Sequence, residues 1–176
     1  GLVTTAGGFR RATSVDGAIT GIGADIIIVD DPLKADDAES EVKRTATNNW
    51  IRSSLMSRFN DRRTGQMLIV AQRLHQDDVC GMLLESGGWE VLSIPAIATE
   101  PASYDIGRGR TYSRKEGELL HPTRESQAQL DQLRADLGSR RFEAQYQQQP
   151  TPPDGAIFKR AWLRYLDGHY VKQPGD

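Results

Sequence analysis

An unbroken apolar run, Ile26 to Val29, ends in two adjacent carboxylates and a proline, and no other segment of the chain limits the fold so strongly. All residues of the run are β-branched, which is typical of a strand buried on both faces in a parallel sheet. Pro32 ends the strand and biases Asp31 toward an extended backbone. We therefore expect Asp30 and Asp31 at the carboxyl edge of a buried strand, where open α/β sheets bind ligands.

The two acids have a functional and a structural interpretation, and both stay open at this level. In a magnesium site, Asp30 would be the ligand and Asp31 the base that orients or activates water, since close carboxylates repel each other and favour a divalent cation. Adjacent strand residues point to opposite faces, so Asp31 shares the site only if the backbone turns after Asp30. Alternatively, the segment is a strand followed by a helix cap and a turn.

The order of the predicted elements indicates an α/β fold with a parallel sheet. After the acidic end of the first strand, apolar residues at four-residue spacing predict a long amphipathic helix capped by an acid at 36–37. Two further buried-type strands are predicted at 67–71 and 89–94. A short helix between these strands would be capped by Asp77 or Asp78.

The other segments are predicted as turns, a loop and two helices. Asp16–Gly17 is a hairpin signal, and the polar residues 99–120 are predicted to form a loop. A capping-box pattern at 126–129 begins a helix that Gly138 ends, and a second helix follows it directly. The Gln- and Pro-rich stretch 147–155 is typical of a linker.

Composition narrows the class of protein. With 38% hydrophobic and 26% charged residues among 176, the chain is expected to be globular. A net charge of −2 gives no overall basic footprint for nucleic acid, although a local patch can still bind it. The single cysteine, Cys80, favours a reducing compartment, and no membrane-spanning run or signal peptide is recognised. Because the chain begins with Gly1 inside an apparent strand or turn, we expect a fragment of a longer protein.

Gln72 and Arg73 end the second predicted strand and would emerge at the same edge of a parallel sheet as the two acids. Polar side chains in that place can sense a γ-phosphate and pass the signal to a moving element. The alternative, which spacing favours, is that Arg73 caps a carbonyl or pairs with Asp77 or Asp78.

The densest basic segment lies in the predicted loop, where Tyr104 and Tyr112 are interleaved with cations. Such a segment can contact a phosphate backbone, although an ordinary solvated loop is the favoured interpretation. The residues concerned are Arg108, Arg110, Arg114 and Lys115.

No Gly-rich loop ending in Lys-Ser/Thr occurs in the sequence, so a complete ATP site is not encoded here. His75 with its following acids has no second His or Cys at ligand spacing, and we expect it to make structural hydrogen bonds.

Several segments, in order, resemble the large terminase subunit of tailed bacteriophages, the DNA-packaging motor. Residues 21–32, Gly-Ile-Gly-Ala-Asp before the apolar run, resemble the Walker B segment of that family. Residues 72–78 with Gly81 resemble its "R-W-H-E-D-D-L-x-G" segment. The match, which spans about residues 7 to 165, is completed by 95–98, 117–120, 145–150, Gly155 and Phe158.

The resemblance implies the C-terminal part of a parallel-sheet P-loop NTPase core of the ASCE type, followed by a helical lid and a linker. Residues 1–98 would be the ATPase core, from the Walker B strand to the third strand. Residues 99–149 would be a loop and the lid subdomain. Residues 150–176 would be the linker and the start of a C-terminal nuclease domain.

Carried over residue by residue, Asp30 matches the magnesium-binding Walker B acid and Asp31 the catalytic carboxylate. Gln72 and Arg73 match the region that couples hydrolysis to movement. Relatives often carry a basic residue where this chain has Ile22, and Trp is common at the position of Leu74. A trans-acting arginine finger would then come from elsewhere, and the candidates are Arg10, Arg11 and Arg73.

The resemblance also implies the activity and its partners. The parent protein would use ATP and Mg²⁺ to move double-stranded DNA into a prohead and would cut it with a nuclease domain. Its partners would be the portal and the small terminase subunit, and it would form a homo-oligomeric ring in the host cell cytoplasm. The phosphate-binding loop would lie upstream of Gly1 and the nuclease acids downstream of Asp176, so the chain by itself is expected to be inactive.

Two alternatives remain open. The chain could belong to another P-loop ATPase, such as a helicase, or to a non-catalytic virion or DNA-binding scaffold. A Gly-rich loop ending in Lys-Ser/Thr in the upstream sequence would favour a motor, and its absence a scaffold.

Overall fold

A computed structural model describes residues 1–151 and shows a mixed α/β protein with short, two-stranded sheets. The strands are β1 (Leu2–Val3), β2 (Phe9–Arg10), β3 (Ile26–Asp30), β4 (Gln66–Val70), β5 (Ala102–Asp105) and β6 (Thr111–Arg114). The α-helices are α1 (Glu41–Asn49), α2 (Val79–Ser86), α3 (Gln127–Leu137) and α4 (Ser139–Gln145). The expected start of a nuclease domain, with Gly155 and Phe158, lies outside the described residues, as does nearly all of the expected linker.

The parallel pairing predicted for the first two apolar runs is confirmed. β3 and β4 run parallel, with Ile26 opposite Gln66 and Asp30 opposite Val70. Parallel strands need a crossover connection, and α1 lies within it. The carboxyl ends of both strands therefore lie at the same edge, which is the arrangement that places the site. Nothing in this fold establishes a P-loop NTPase core.

The expectation that β3 is buried on both faces is wrong for the described residues. Ile27 and Val29 are buried under apolar side chains of α2 and of the helical segment Trp50–Leu55, which continues α1. Ile26 and Ile28, on the other face, are 62% and 66% exposed. Strand residues alternate between faces, and within residues 1–151 the helices cover only one of them. A continuous β-branched run therefore does not by itself establish two covered faces.

The third strand predicted at 89–94 does not form, and Val91 and Leu92 are exposed. The chain after it is engaged elsewhere: Ala96 donates to the carbonyl of Tyr146 at 2.7 Å, and Ala98 donates to that of Glu118 at 3.0 Å. Because these hydrogen bonds draw the segment toward α4 and the 117–120 turn, it does not lie along β3 or β4.

The predicted loop at 99–120 instead contains an antiparallel hairpin, β5–β6. Tyr104 and Tyr112 lie opposite each other and stack at 6.2 Å between ring centroids. The alternation of residue types in these two short strands was the missed signal. At the other hairpin, β1–β2, the turn falls at Thr4–Gly8. The predicted hairpin signal at Asp16–Gly17 lies in a turn, Ser14–Gly17, that has no flanking strands.

The long helix predicted after Pro32 is present, but with a different start and a break. Ser40, not an acid at 36–37, is the N-cap of α1 and accepts from the amide of Lys43. The acids lie in a separate 3-10 turn, Ala35–Asp37. The helix continues past α1 as a π-helical segment, Trp50–Leu55, and a 3-10 turn, Met56–Arg58.

The C-terminal helices follow the prediction closely and build a second hydrophobic core. Ser126 and Gln129 form the capping box of α3, and Gly138, at φ +78°, separates α3 from α4. Phe142 is fully buried against Leu130 and stacks on Tyr146. Within residues 1–151, every helix is too short or too polar to span a lipid bilayer.

Candidate functional site

The two predicted acids lie in solvent at the carboxyl end of β3. The amide of Asp31 donates to the carbonyl oxygen of Val70 at 2.9 Å, so the ladder extends one residue beyond the strand. The expectation of an extended backbone at Asp31 is wrong, because its φ is +41°. Aspartate tolerates this left-handed region better than most residues. The turn after Asp30 that a shared site requires is therefore present.

Gln72 and Asp31 are brought together as the parallel register predicts. The amide of Gln72 donates to Oδ1 of Asp31 at 3.3 Å. This contact joins the residues that follow β3 and β4, which are 41 positions apart in sequence. One oxygen of the Asp31 carboxylate is thus held by the backbone.

Arg73 has the structural role that its spacing favoured. Its Nε lies 3.0 Å from both carboxylate oxygens of Asp78, and the side chains of the pair are 16% and 5% exposed. Asp78 is also the predicted N-cap of α2 and accepts from the amide of Gly81 at 2.8 Å. The Arg73 guanidinium is therefore held at the start of α2.

His75 is buried beside this ion pair, and its Nδ1 accepts from the amide of Asp77 at 3.1 Å. Burial lowers the pKa of His75 below its usual value, the positive charge of Arg44 lowers it further, and the nearby Asp77 opposes both effects. The ring therefore makes structural hydrogen bonds, as expected. Among residues 1–151, no group of three or more His, Cys, Asp or Glu side chains could hold a metal ion.

The buried ring of His75 predicts a pH dependence of stability. A histidine whose folded pKa is lowered binds fewer protons than the unfolded chain, so its contribution is fully present above the unfolded value of about 6.5 and is lost as the pH falls toward the folded pKa. We expect His75→Gln to flatten the fall in the free energy of unfolding below pH 6.5, measured by urea denaturation across pH. His121→Gln, at an exposed histidine, is the control. An unchanged pH profile in His75→Gln would contradict the assignment.

Two of the three arginine-finger candidates, Arg10 and Arg11, lie at the other end of the sheet from the acids. Arg10 and Arg11 are exposed and line an open cavity of about 480 Å³ together with the Gly21–Gly23 segment. That segment leads into the amino end of β3, whereas Asp30 is at its carboxyl end. Within one copy of the chain, these arginines do not approach the acids along the strand.

The basic segment divides into two parts. Arg108, Arg110 and Lys115 are exposed. Arg114 is 2% exposed, and its guanidinium donates to the carbonyls of Pro95 and Glu118, each at 2.7 Å. Arg114 is therefore an interior residue and not a surface contact. Arg114 lies two positions from Tyr112 and therefore on the same strand face. This alternation was the sequence signal for the burial of Arg114.

Two glutamines that the sequence placed in a linker make specific tertiary hydrogen bonds. Gln147 is 5% exposed and bonds both the amide and the carbonyl of Ile97, at 3.0 and 2.9 Å. Gln148 accepts from the amide of Arg73 at 3.1 Å. Their position directly after a helix, next to a third glutamine, is the only sequence signal for this role.

The geometry defines a mixed α/β protein with a pair of exposed carboxylates at the carboxyl edge of two parallel strands. Carboxylate oxygens are hard donors of the kind that Mg²⁺ prefers, and Asp30 and Asp31 are two exposed donors of this type. No protein-family model matches the sequence, and no curated protein matches it either.

Proposed function

We propose that the chain supplies the magnesium-binding acid and the catalytic carboxylate of an ATPase that moves double-stranded DNA, as in the large terminase subunits it resembles. The observation that carries the proposal is the adjacent pair Asp30 and Asp31, open to solvent where β3 and β4 end together. Neither acid forms an ion pair with any cation of residues 1–151.

The two acids differ in what their backbones allow. Asp30 ends the regular strand, and Asp31 follows in a left-handed turn with one carboxylate oxygen held by the amide of Gln72. A carboxylate fixed on one oxygen has the other available to accept a hydrogen bond from water, which is the geometry that a general base needs. Asp30 would hold Mg²⁺, which when bound neutralises charge on phosphate oxygens.

The proposal extends to the partners of such a motor, which are a portal, a small terminase subunit and further copies in a ring. A non-catalytic scaffold with the same fold is the contrasting possibility. It predicts the same packing of β3 and β4 but no role for the two exposed acids beyond solvation.

Phosphate release from ATP by the full-length gene product that contains this chain tests the proposal. We expect turnover that needs Mg²⁺ and rises when double-stranded DNA is added. Asp30→Ala should raise the Mg²⁺ concentration needed for half-maximal turnover, because it removes a ligand carboxylate. Asp36→Ala, at an exposed acid in the following 3-10 turn, is the matched control. Absence of Mg²⁺-dependent phosphate release would refute the ATPase and leave the scaffold.

A further inference from the structure

Residues 1–151 contain two separate hydrophobic cores. The first lies between the β3–β4 sheet, the helix after α1, and α2, with Ile51 at its centre. The second is formed by α3, α4 and the segment around Ala96, with Phe142 at its centre. The side-chain contacts that link the α3–α4 helices to the chain around the sheet edge are hydrogen bonds. The joint between the two cores therefore depends on a few specific polar groups.

Gln148 joins the end of α4 to the chain that follows β4. Its Oε1 accepts from the amide of Arg73 at 3.1 Å, and its Nε2 donates to the carbonyl of Gln145, at the end of α4. The neighbouring amide, that of Gln72, donates to Oδ1 of Asp31. Two successive amides after β4 therefore hold the α3–α4 helices on one side and a candidate catalytic carboxylate on the other.

The backbone at Gln148 is held in an unfavourable conformation. Its φ of +58° lies in the left-handed region, which a glutamine rarely adopts without compensating contacts. The turn sends adjacent side chains to different segments, because Gln147 bonds the backbone of Ile97 while Gln148 bonds that of Arg73. The strained residue is thus the one that spans the joint.

A second contact ties α4 to the segment that leaves β3. Nη2 of Arg140, on α4, lies 2.9 Å from Oε2 of Glu39, in the segment that follows the two acids. The hydrogen bond from Arg140 lowers the pKa of Glu39. The segments that leave β3 and β4 are therefore both tied to the α4 region.

We propose that Gln148 is a positioning residue that holds the α3–α4 helices on the Arg73 amide and thereby sets the orientation of Asp31. A shift of these helices would move the Arg73 amide, and with it the adjoining Gln72 amide that fixes the carboxylate. The structural part stands on the hydrogen bonds alone, and only the kinetic part rests on the proposed ATPase function.

Three substitutions at Gln148 separate this role from simple structural support. Gln148→Ala removes the side chain and keeps the strained φ, whereas Gln148→Gly removes the side chain and relieves the strain. Gln148→Glu restores an acceptor for the Arg73 amide. Gln149→Ala, at the adjacent exposed glutamine, is the matched control.

Amide hydrogen exchange and steady-state kinetics of the full-length gene product give the readouts. In Gln148→Ala and Gln148→Gly, we expect the Arg73 amide to exchange about tenfold faster, and the Gln72 amide to exchange faster as well. The value of kcat should fall in both variants while KM stays unchanged, even though the glycine variant is the more stable of the two. Gln148→Glu should recover much of the protection at Arg73, and Gln149→Ala should behave as the wild type.

Unchanged protection of the Arg73 amide in both variants would overturn the proposal, because the Gln148 side chain would then not hold this amide. Loss of protection with an unchanged kcat in an active enzyme would overturn the positioning role. If the wild-type gene product does not hydrolyse ATP, the proposed function fails. The exchange of the Arg73 and Gln72 amides then tests by itself whether Gln148 holds this part of the backbone.

Discussion

Asp31→Asn is expected to lower the ATP turnover of the full-length gene product by about 10²–10⁴-fold, the range in which a general base contributes. The side-chain amide has nearly the shape of the carboxylate and retains an oxygen that can accept from the Gln72 amide. It cannot take a proton from water. Binding of magnesium-ATP, measured by displacement of a fluorescent nucleotide, should therefore survive the substitution while phosphate release collapses.

Asp36→Asn is the matched control for this experiment, because it removes one exposed negative charge a few residues away. It should leave turnover within about twofold of the wild type, as expected for a surface substitution. Normal turnover in Asp31→Asn would make Asp31 a structural residue of the strand end and would remove the catalytic assignment.

Asp78→Ala should lower the free energy of unfolding by about 3–5 kcal/mol, the usual cost of removing one partner of a buried ion pair. The substitution leaves the Arg73 guanidinium without its counter-charge in a largely buried place. It also removes the acceptor for the amides of Leu74, His75 and Gly81. Urea denaturation followed by circular dichroism measures the change.

The adjacent acid provides the control for Asp78. Asp77 has a side chain that is 58% exposed, so Asp77→Ala should change the free energy of unfolding by no more than about 0.5 kcal/mol. Asp78→Asn should fall between the two, because the amide oxygen can still cap α2 but carries no charge for Arg73. Equal urea midpoints for Asp78→Ala and the wild type would show that the pair contributes nothing to stability.

Local signals predicted the elements that position the site. The parallel pair, the Asp78 cap and the capping box at Ser126 all depend on short-range patterns of residue type, and all three are present. The meeting of Asp31 with Gln72 followed from the rule that parallel strands end at a common edge. These inferences needed no knowledge of distant pairing.

The errors arose where a distant partner decides the outcome. Residues 89–94 have the composition of a strand but find no strand edge among the described residues. Alternation with Tyr112 places Arg114 on the inner strand face, but the three carbonyls that its guanidinium bonds come from residues outside that strand. Gln148 bonds a residue 75 positions away, and no periodicity encodes such a contact.

The open face of the β3–β4 sheet makes the stability of this protein depend on its surroundings. Ile26, Ile28, Leu68 and Val70 on that face are each at least 50% exposed, and full burial of such a side chain is worth roughly 1.5–3 kcal/mol. Any molecule that covers the face only in the folded state raises the unfolding midpoint by mass action. If a second copy of the chain covers this face, the melting temperature rises with protein concentration, and if another molecule covers it, the melting temperature rises with the concentration of that molecule.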